Sequence, residues 1–201
     1  MSGCTAPIEG HNPGSKQEAD CPAHGAAARN GRPGQQHDRQ AGLAAPAAPG
    51  ASRGRAAIEA LIADRKLELV QPDARLAAMQ LDQARESLDL AAEQSEMRPE
   101  ASLTLAYDAA RKVVVAMLEA QGLRARMPNA HANVQDALRA QWGGSLADRF
   151  GAARKARHRA EYPSESTMRA TPSSAVQTVA LAEELFRLAE DQMPSLLPFP
   201  H

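Results

Sequence analysis

The sequence predicts an all-α protein, an antiparallel up-and-down bundle of helices behind an unstructured N-terminal tail. Three observations carry that expectation. From Arg53 onward Ala, Leu, Glu, Gln and Arg dominate, and these residues lose little in a helix. Apolar residues recur there at spacings of three and four. The few Gly and Pro residues fall between the periodic segments.

The first segment, "RAAIEALIADRKLEL", sets Ile58, Leu61, Ile62 and Leu67 in an apolar stripe, so one helix is expected across it. Pro72 suits the first turn of a second helix running to about Ser95, with Leu76, Met79, Ala84, Leu88 and Ala91 as its repeat. Pro99 opens a third. There Leu103, Ala106, Tyr107, Ala110, Val114, Met117 and Leu118 share a face, and Gly122 ends the helix. Val113, Val114 and Val115 are the only β-branched run, and their place inside a helical repeat overrides local preference, so no strand is expected. Asn129 is placed to cap a short fourth helix, "AHANVQDALRAQW", before the Gly143-Gly144 break. Ser145 is placed to cap a fifth that Pro163 stops after Tyr162. A sixth runs from about Pro172 to Pro194 with Val176, Val179, Leu181, Leu185, Leu188 and Ala189. Short connections between such helices favour antiparallel neighbours. No fixed period repeats, which argues against a solenoid.

The segment 1–52 differs in kind. It is rich in Gly and Pro, with only Ile8 and Leu43 as large aliphatics, and cannot bury enough apolar surface to offset chain entropy. The expected organisation is a disordered Ala/Pro/Gly/Arg-rich tail at 1–52, a bundle at 53–195 and a short C-terminal tail at 196–201. No charged start followed by an apolar run marks a signal peptide, and no apolar run approaches a membrane span, so a soluble, cytoplasmic chain without a membrane partner is expected. Cys4, His11, Cys21 and His24 could be written as a zinc set. Cys-x2-His is far looser than a paired Cys-x2-Cys framework, so no metal and no cofactor are expected.

The fifth helix holds the chemistry. The chain carries a formal charge of -1, yet residues 149–159 contain no acid, so the local field is positive. With about 100° per residue, Leu146, Phe150, Ala153, Arg157 and Ala160 fall within a sector of about 80°, which puts Arg157 amid the apolar face. Arg154 and Glu161 border that sector, His158 follows, and Tyr162 lies on the far flank. A cation so placed needs a partner, and Glu161, one turn on, is the nearest. One possibility is a partly buried Arg157–Glu161 pair that knits helices together, across a dimer or within a structural one. The other is a cleft that presents Arg154, Arg157, His158 and Tyr162 to a phosphate-bearing ligand, because the planar Arg fork grips two phosphate oxygens at once. Asp108 and Arg111 on the third helix are most simply a surface or interhelical pair, and in a dimer would help frame such a cleft. Few aromatics accompany the basic run, so a base-stacking surface for single-stranded RNA or DNA has little support.

The string "LAYDAARKVVVAMLEAQGLR", followed by "HANVQDAL" and "RKARHRAEYP", resembles the bacterial branch of the HEPN superfamily (higher-eukaryote and prokaryote nucleotide-binding domains) over about residues 57–193. The resemblance implies a helical bundle that often dimerises through the helices carrying its polar motif. It also implies frequent pairing with a nucleotidyltransferase, and a place among toxin–antitoxin and other defence systems, where many members are metal-independent endoribonucleases. Their motif is an Arg, a polar residue, and further on a His. Arg157 matches the Arg and His158 the polar residue, while Tyr162 stands where the terminal His is expected, in an "EYP" ending that the branch shares. His131 has a counterpart in the branch as well, and near a helix start it reads first as a polar contact to a neighbouring turn.

The departure at Tyr162 has a chemical consequence. Cutting RNA through its 2′-hydroxyl needs proton exchange near neutrality, which His, at about 6.5, supplies and Tyr, at about 10, does not. The expectation is therefore a HEPN-like accessory or binding protein, with Arg154, Arg157, His158, Glu161, Tyr162, Asp108 and Arg111 around the ligand, which is nucleotide, RNA or a protein partner. A ribonuclease using Arg157, His158 and Tyr162 in an altered arrangement is the alternative.

Because the tail adds almost no apolar surface to the periodic segments, a truncation beginning at Ala51 is expected to keep its helical circular dichroism and thermal midpoint. A midpoint lower by more than about 4 °C would contradict this.

Overall fold

The computed structural model describes residues 54–162 and 169–200; the tail at 1–52, the Cys4/His11/Cys21/His24 set and Pro163 lie outside the described residues. Among the described residues there are six α-helices, as the periodicity predicts: α1 (Arg55–Ala63), α2 (Ala74–Gln94), α3 (Pro99–Ala120), α4 (Ala130–Trp142), α5 (Gly144–Glu161) and α6 (Pro172–Gln192). No helix among the described residues is long and apolar enough to cross a membrane.

The centre is α3. Pro99 occupies its first turn, where a missing N–H costs nothing, and Gly122 follows its end at φ 72°. Leu103, Ala106, Tyr107, Ala110, Val113, Val114, Met117 and Leu118 are all buried, so α3 is covered on most sides rather than on one stripe. It packs chiefly against α2 and α6, with α4 and α5 on its remaining flank. The helix starts follow from local polar groups. Asp73 Oδ1 accepts from Leu76 N at 2.8 Å to cap α2, and Thr171 and Ser174 form a reciprocal box on α6 with Pro172 just inside. Pro72 therefore precedes α2 instead of opening it.

Two expectations about the backbone are corrected. α1 ends at Ala63, because the chain turns at Arg65 with φ 59°, and Leu67 belongs to a strand instead of the α1 stripe. That strand, β1 (Leu67–Leu69), pairs antiparallel with β2 (Leu123–Ala125), Leu67 opposite Ala125 and Leu69 opposite Leu123. The ladder clips the α1–α2 connection to the α3–α4 connection, and Val70 N extends it by donating to Gly122 O at 2.9 Å. Likewise α5 starts at Gly144 rather than after a Ser145 cap, since Gly143 at φ 103° takes the cap position two residues earlier. Asn129 does sit at the cap position of α4, without a side-chain hydrogen bond.

Buried polar groups are largely paired. Gln121 and Gln141 exchange amide hydrogen bonds at 3.0 and 2.9 Å, joining the end of α3 to the end of α4. Ser102 donates to Ala91 O at 2.7 Å, joining α3 to α2. Beyond α6, a single 3-10 turn (Met193–Ser195) leads to Phe199, which is buried and whose amide donates to Gln121 O at 2.8 Å. Packing therefore extends past the boundary that Pro194 suggests.

Gly122 is required for two reasons: its φ is left-handed, and a Cβ there would sit 2.6 Å from Val70 O. Gly122→Ala is expected to cost about 2 kcal/mol and lower the midpoint by about 4 °C or more. Gly144→Ala, where the nearest foreign atom is the flexible tip of Arg139, is expected to be near neutral. Equal melting of the two variants would contradict the role given to the β1–β2 clip.

Candidate functional site: a basic concavity at α4 and α5

The second half of α5 and the first turn of α4 enclose an open concavity of about 480 Å³. Among the described residues its lining is His131, Arg154, Lys155, Arg157, His158 and Arg159, with no carboxylate. Four of the six are fixed cations and two are imidazoles.

The geometry starts from Tyr107 on α3, whose ring is 1 % exposed. A phenol so buried needs a partner for its hydroxyl. It finds one in His131, with Oη 3.0 Å from Nδ1, and the two rings lie nearly parallel with centroids 6.0 Å apart. Phe150 of α5 tilts against the same ring at 5.4 Å, and the Arg157 guanidinium carbon lies 5.7 Å from its centroid. One aromatic side chain thus touches residues of both helices that frame the concavity. Burial pushes the Tyr107 hydroxyl up to about 12, against the pull of Arg154, Arg111 and Arg157, so it stays a phenol. Burial likewise holds the His131 imidazole below its ordinary value, helped by the charges of Arg111, Arg157 and Arg154 and opposed by Asp108. At neutral pH His131 is neutral. A neutral ring that accepts the Tyr107 hydroxyl at Nδ1 carries its proton on Nε2.

The buried stripe of α5 differs from the expected one. Ala147, Phe150 and Gly151 face the bundle together with Ala153, while Leu146 is only partly buried. Gln135 of α4 comes so close that a Cβ at Gly151 would lie 2.3 Å from its Nε2, so Gly151 belongs to the packed face. By angle Arg154, expected at the border, lies in line with the buried stripe, and among the described residues its Nε is buried without a hydrogen-bond partner. Arg157 is set toward the rim with its side chain 31 % exposed, not amid the apolar face. Its Nη2 pairs with Glu161 Oε1 at 2.5 Å, a contact one turn along the same helix, so the pair does not join one helix to another.

The other expected site residues divide. Tyr162 leaves the helix at φ -123° and ψ 70°, as a residue preceding proline is driven to do, and its 67 %-exposed ring lies 5.0 Å from that of His158. Tyr162 and Glu161 are outside the lining, as is Asp108. Asp108 instead accepts from Arg111 Nη2 at 2.7 Å and Lys112 Nζ at 3.0 Å. Burial raises its carboxyl, but those two cations outweigh that and hold it below the usual range. Arg111 borders a smaller cavity of about 170 Å³ between α3, β2 and α4, which shares His131 with the larger concavity. The sequence left Lys155, Arg159 and His131 out of the ligand set. The charge run contained the signal for the first two, since cations at 154, 155, 157 and 159 cover several faces of one helix. For His131 the signal was a histidine and a buried tyrosine on separate helices, which only tertiary packing brings together.

Among the described residues no cluster of three or more His, Cys, Asp or Glu could hold a metal ion. Compared with known proteins, the chain matches no family model, no curated protein and no solved structure.

The Tyr107–His131 contact makes two measurable statements. Tyr107→Phe is expected to cost about 1 kcal/mol, a midpoint lower by about 3 °C. Because the folded protein holds His131 below its unfolded value, the unfolded chain takes up the proton first as pH falls. Stability from this group is full above about pH 6.5 and declines below it, until the folded ring also titrates. The drop in midpoint between pH 7.5 and 5.5 is therefore expected to be smaller in His131→Gln than in wild type; equal drops would contradict the assignment.

Proposed function

We propose that this domain is a HEPN-like accessory or binding protein that holds a phosphate-bearing ligand, RNA or nucleotide, in the basic concavity of α4 and α5. The observation that carries the proposal is the composition of the lining among the described residues: Arg154, Lys155, Arg157 and Arg159 with His131 and His158, and no carboxylate beside them. Arginine forks and a lysine in a shared recess suit phosphate oxygens, and a concave wall concentrates their field. Arg154 supports it further, because a guanidinium with one N–H buried and without a partner among the described residues is already partly desolvated before any ligand arrives. The motif likeness of "RKARHRAEYP" supports the HEPN part of the proposal, and with it a cytoplasmic homodimer serving a toxin–antitoxin or nucleotidyltransferase-associated system.

Binding without cutting is the better-supported mode. Tyr162 occupies the place of the motif's proton-transferring His, lies outside the lining, and is more than half exposed. His158 does line the concavity beside Arg157, which is the observation that favours endoribonuclease action as the second reading.

The test is binding and cleavage of a single-stranded RNA pool in the presence of chelator. Wild type is expected to bind with an affinity that falls as salt rises, since phosphate contacts release counterions, and to leave the RNA intact. Arg154→Ala is expected to weaken binding about tenfold or more, the loss of one charge-assisted contact. Arg157→Met should bind less well while melting within a few degrees of wild type, because a rim ion pair contributes little. Absence of salt-dependent binding would remove the proposal. Efficient cutting that disappears in His158→Ala would make the ribonuclease reading the correct one.

A further inference from the structure

His131 is the one lining residue that combines a ring in the concavity with a hydrogen bond into the core. Its surroundings are set by elements on both sides. From α3, Tyr107 bonds to Nδ1 at 3.0 Å, and the charges of Arg111 and Asp108 act on the ring with opposite sign. From α5, Arg154 and Arg157 add positive charge, and Lys155, His158 and Arg159 complete the same recess. Glu119 and Arg124 border the smaller cavity on its other side and are paired with each other, Nε to Oε1 at 3.2 Å.

An imidazole placed among arginines stays neutral because the next positive charge is unwelcome there. An anion in the recess reverses that condition. It neutralises the field of Arg154 and Arg157, and it offers an acceptor to whichever ring N–H faces the recess. The hydrogen bond to Tyr107 need not break when the ring charges. A phenol oxygen accepts as well as donates, so rotation of the hydroxyl lets a protonated Nδ1 donate to Oη. Each deprotonated and protonated form of His131 thus has a partner in place.

We infer that His131, bonded to Tyr107 and facing the basic concavity, couples proton uptake to occupation of that concavity: a phosphodiester ligand binds there together with one proton. The inference rests on the anion site proposed above and assigns it a pH dependence. Ligand held near pH 6 is released as pH rises through neutrality, by a side chain that senses the ligand's charge through Arg154 and Arg157. Linkage requires the effect to be reciprocal: the factor by which protonation tightens the ligand is the factor by which the ligand raises the proton affinity of the ring.

The probe is a short oligouridylate lacking terminal phosphates, because its phosphodiesters do not titrate between pH 5.5 and 7.5 and every change then belongs to the protein. A His158→Gln background removes the second imidazole of the recess. In that background affinity is expected to tighten at least about fivefold from pH 7.5 to 5.5, and the gain to vanish when His131→Gln is added. In wild type, the NMR titration midpoint of His131 is expected to rise by at least about 0.7 pH unit with saturating probe, because the affinity gain between two pH values is never larger than the factor by which the probe raises the ring's proton affinity. That measurement needs no variant, so it decides the matter even where His131→Gln fails to fold. A His131 midpoint unmoved by bound probe, or a pH gain that survives His131→Gln, overturns the coupling and leaves the anion site standing. A probe that binds at no pH removes the anion site and the coupling together.

Discussion

The structure depends most on one buried phenol. Tyr107 lies on the helix that α2, α4, α5 and α6 all pack against, and its hydroxyl, removed from water, is satisfied by His131. That single requirement draws the first turn of α4 to the middle of α3. The face of the same ring receives Phe150 from α5 and lies beneath the Arg157 guanidinium. The two elements that frame the concavity are thus registered on one rigid, two-torsion side chain instead of on loops. Leaving such a hydroxyl unpaired would cost about 1–3 kcal/mol, comparable to a substantial share of a domain's net stability.

Electrostatics follows from where the acids are spent. At the start of α5, Arg149 pairs with Glu184 of α6 at 2.7 Å, and Asp148 pairs with Arg139 of α4. These contacts neutralise the end of α5 that lies against the bundle. Past Arg149 the helix has one carboxylate, Glu161, and Arg157 takes it. The near-zero net charge therefore conceals a separation: mixed charge on the bundle side, positive charge around the recess. Only the second matters to a ligand within a Debye length of about 10 Å.

The helices were legible in the sequence because their repeats are local; the order of six, the Pro starts of α3 and α6 and the Gly122 stop all follow from residues within a few positions of each other. The β1–β2 clip was not. "LEL" and "LRA" are three-residue segments with no period to read, and they become strands only because the bundle brings chain positions 67–69 and 123–125 together. The site was half legible. A helical wheel assumes one face along the whole helix, and it placed Arg157 amid the apolar residues. In the structure Gly151 packs against Gln135, and the buried stripe of Ala147, Phe150, Gly151 and Ala153 is wider than the wheel's and takes in Arg154 Nε. Tyr107 and His131, which the wheel of any one helix treats separately, become a unit only in three dimensions.

The central claim is that the recess of His131 and Arg154 to Arg159 is where this domain meets an anionic ligand. Backbone amide chemical-shift mapping with a short single-stranded RNA tests it most directly. The account predicts shifts concentrated at Ala130 to Asn133 and at Arg154 to Arg159, with Tyr107 and its neighbours on α3 responding through the hydroxyl contact. Saturable shifts concentrated elsewhere, along α2 or in the groove between α5 and α6, would contradict it.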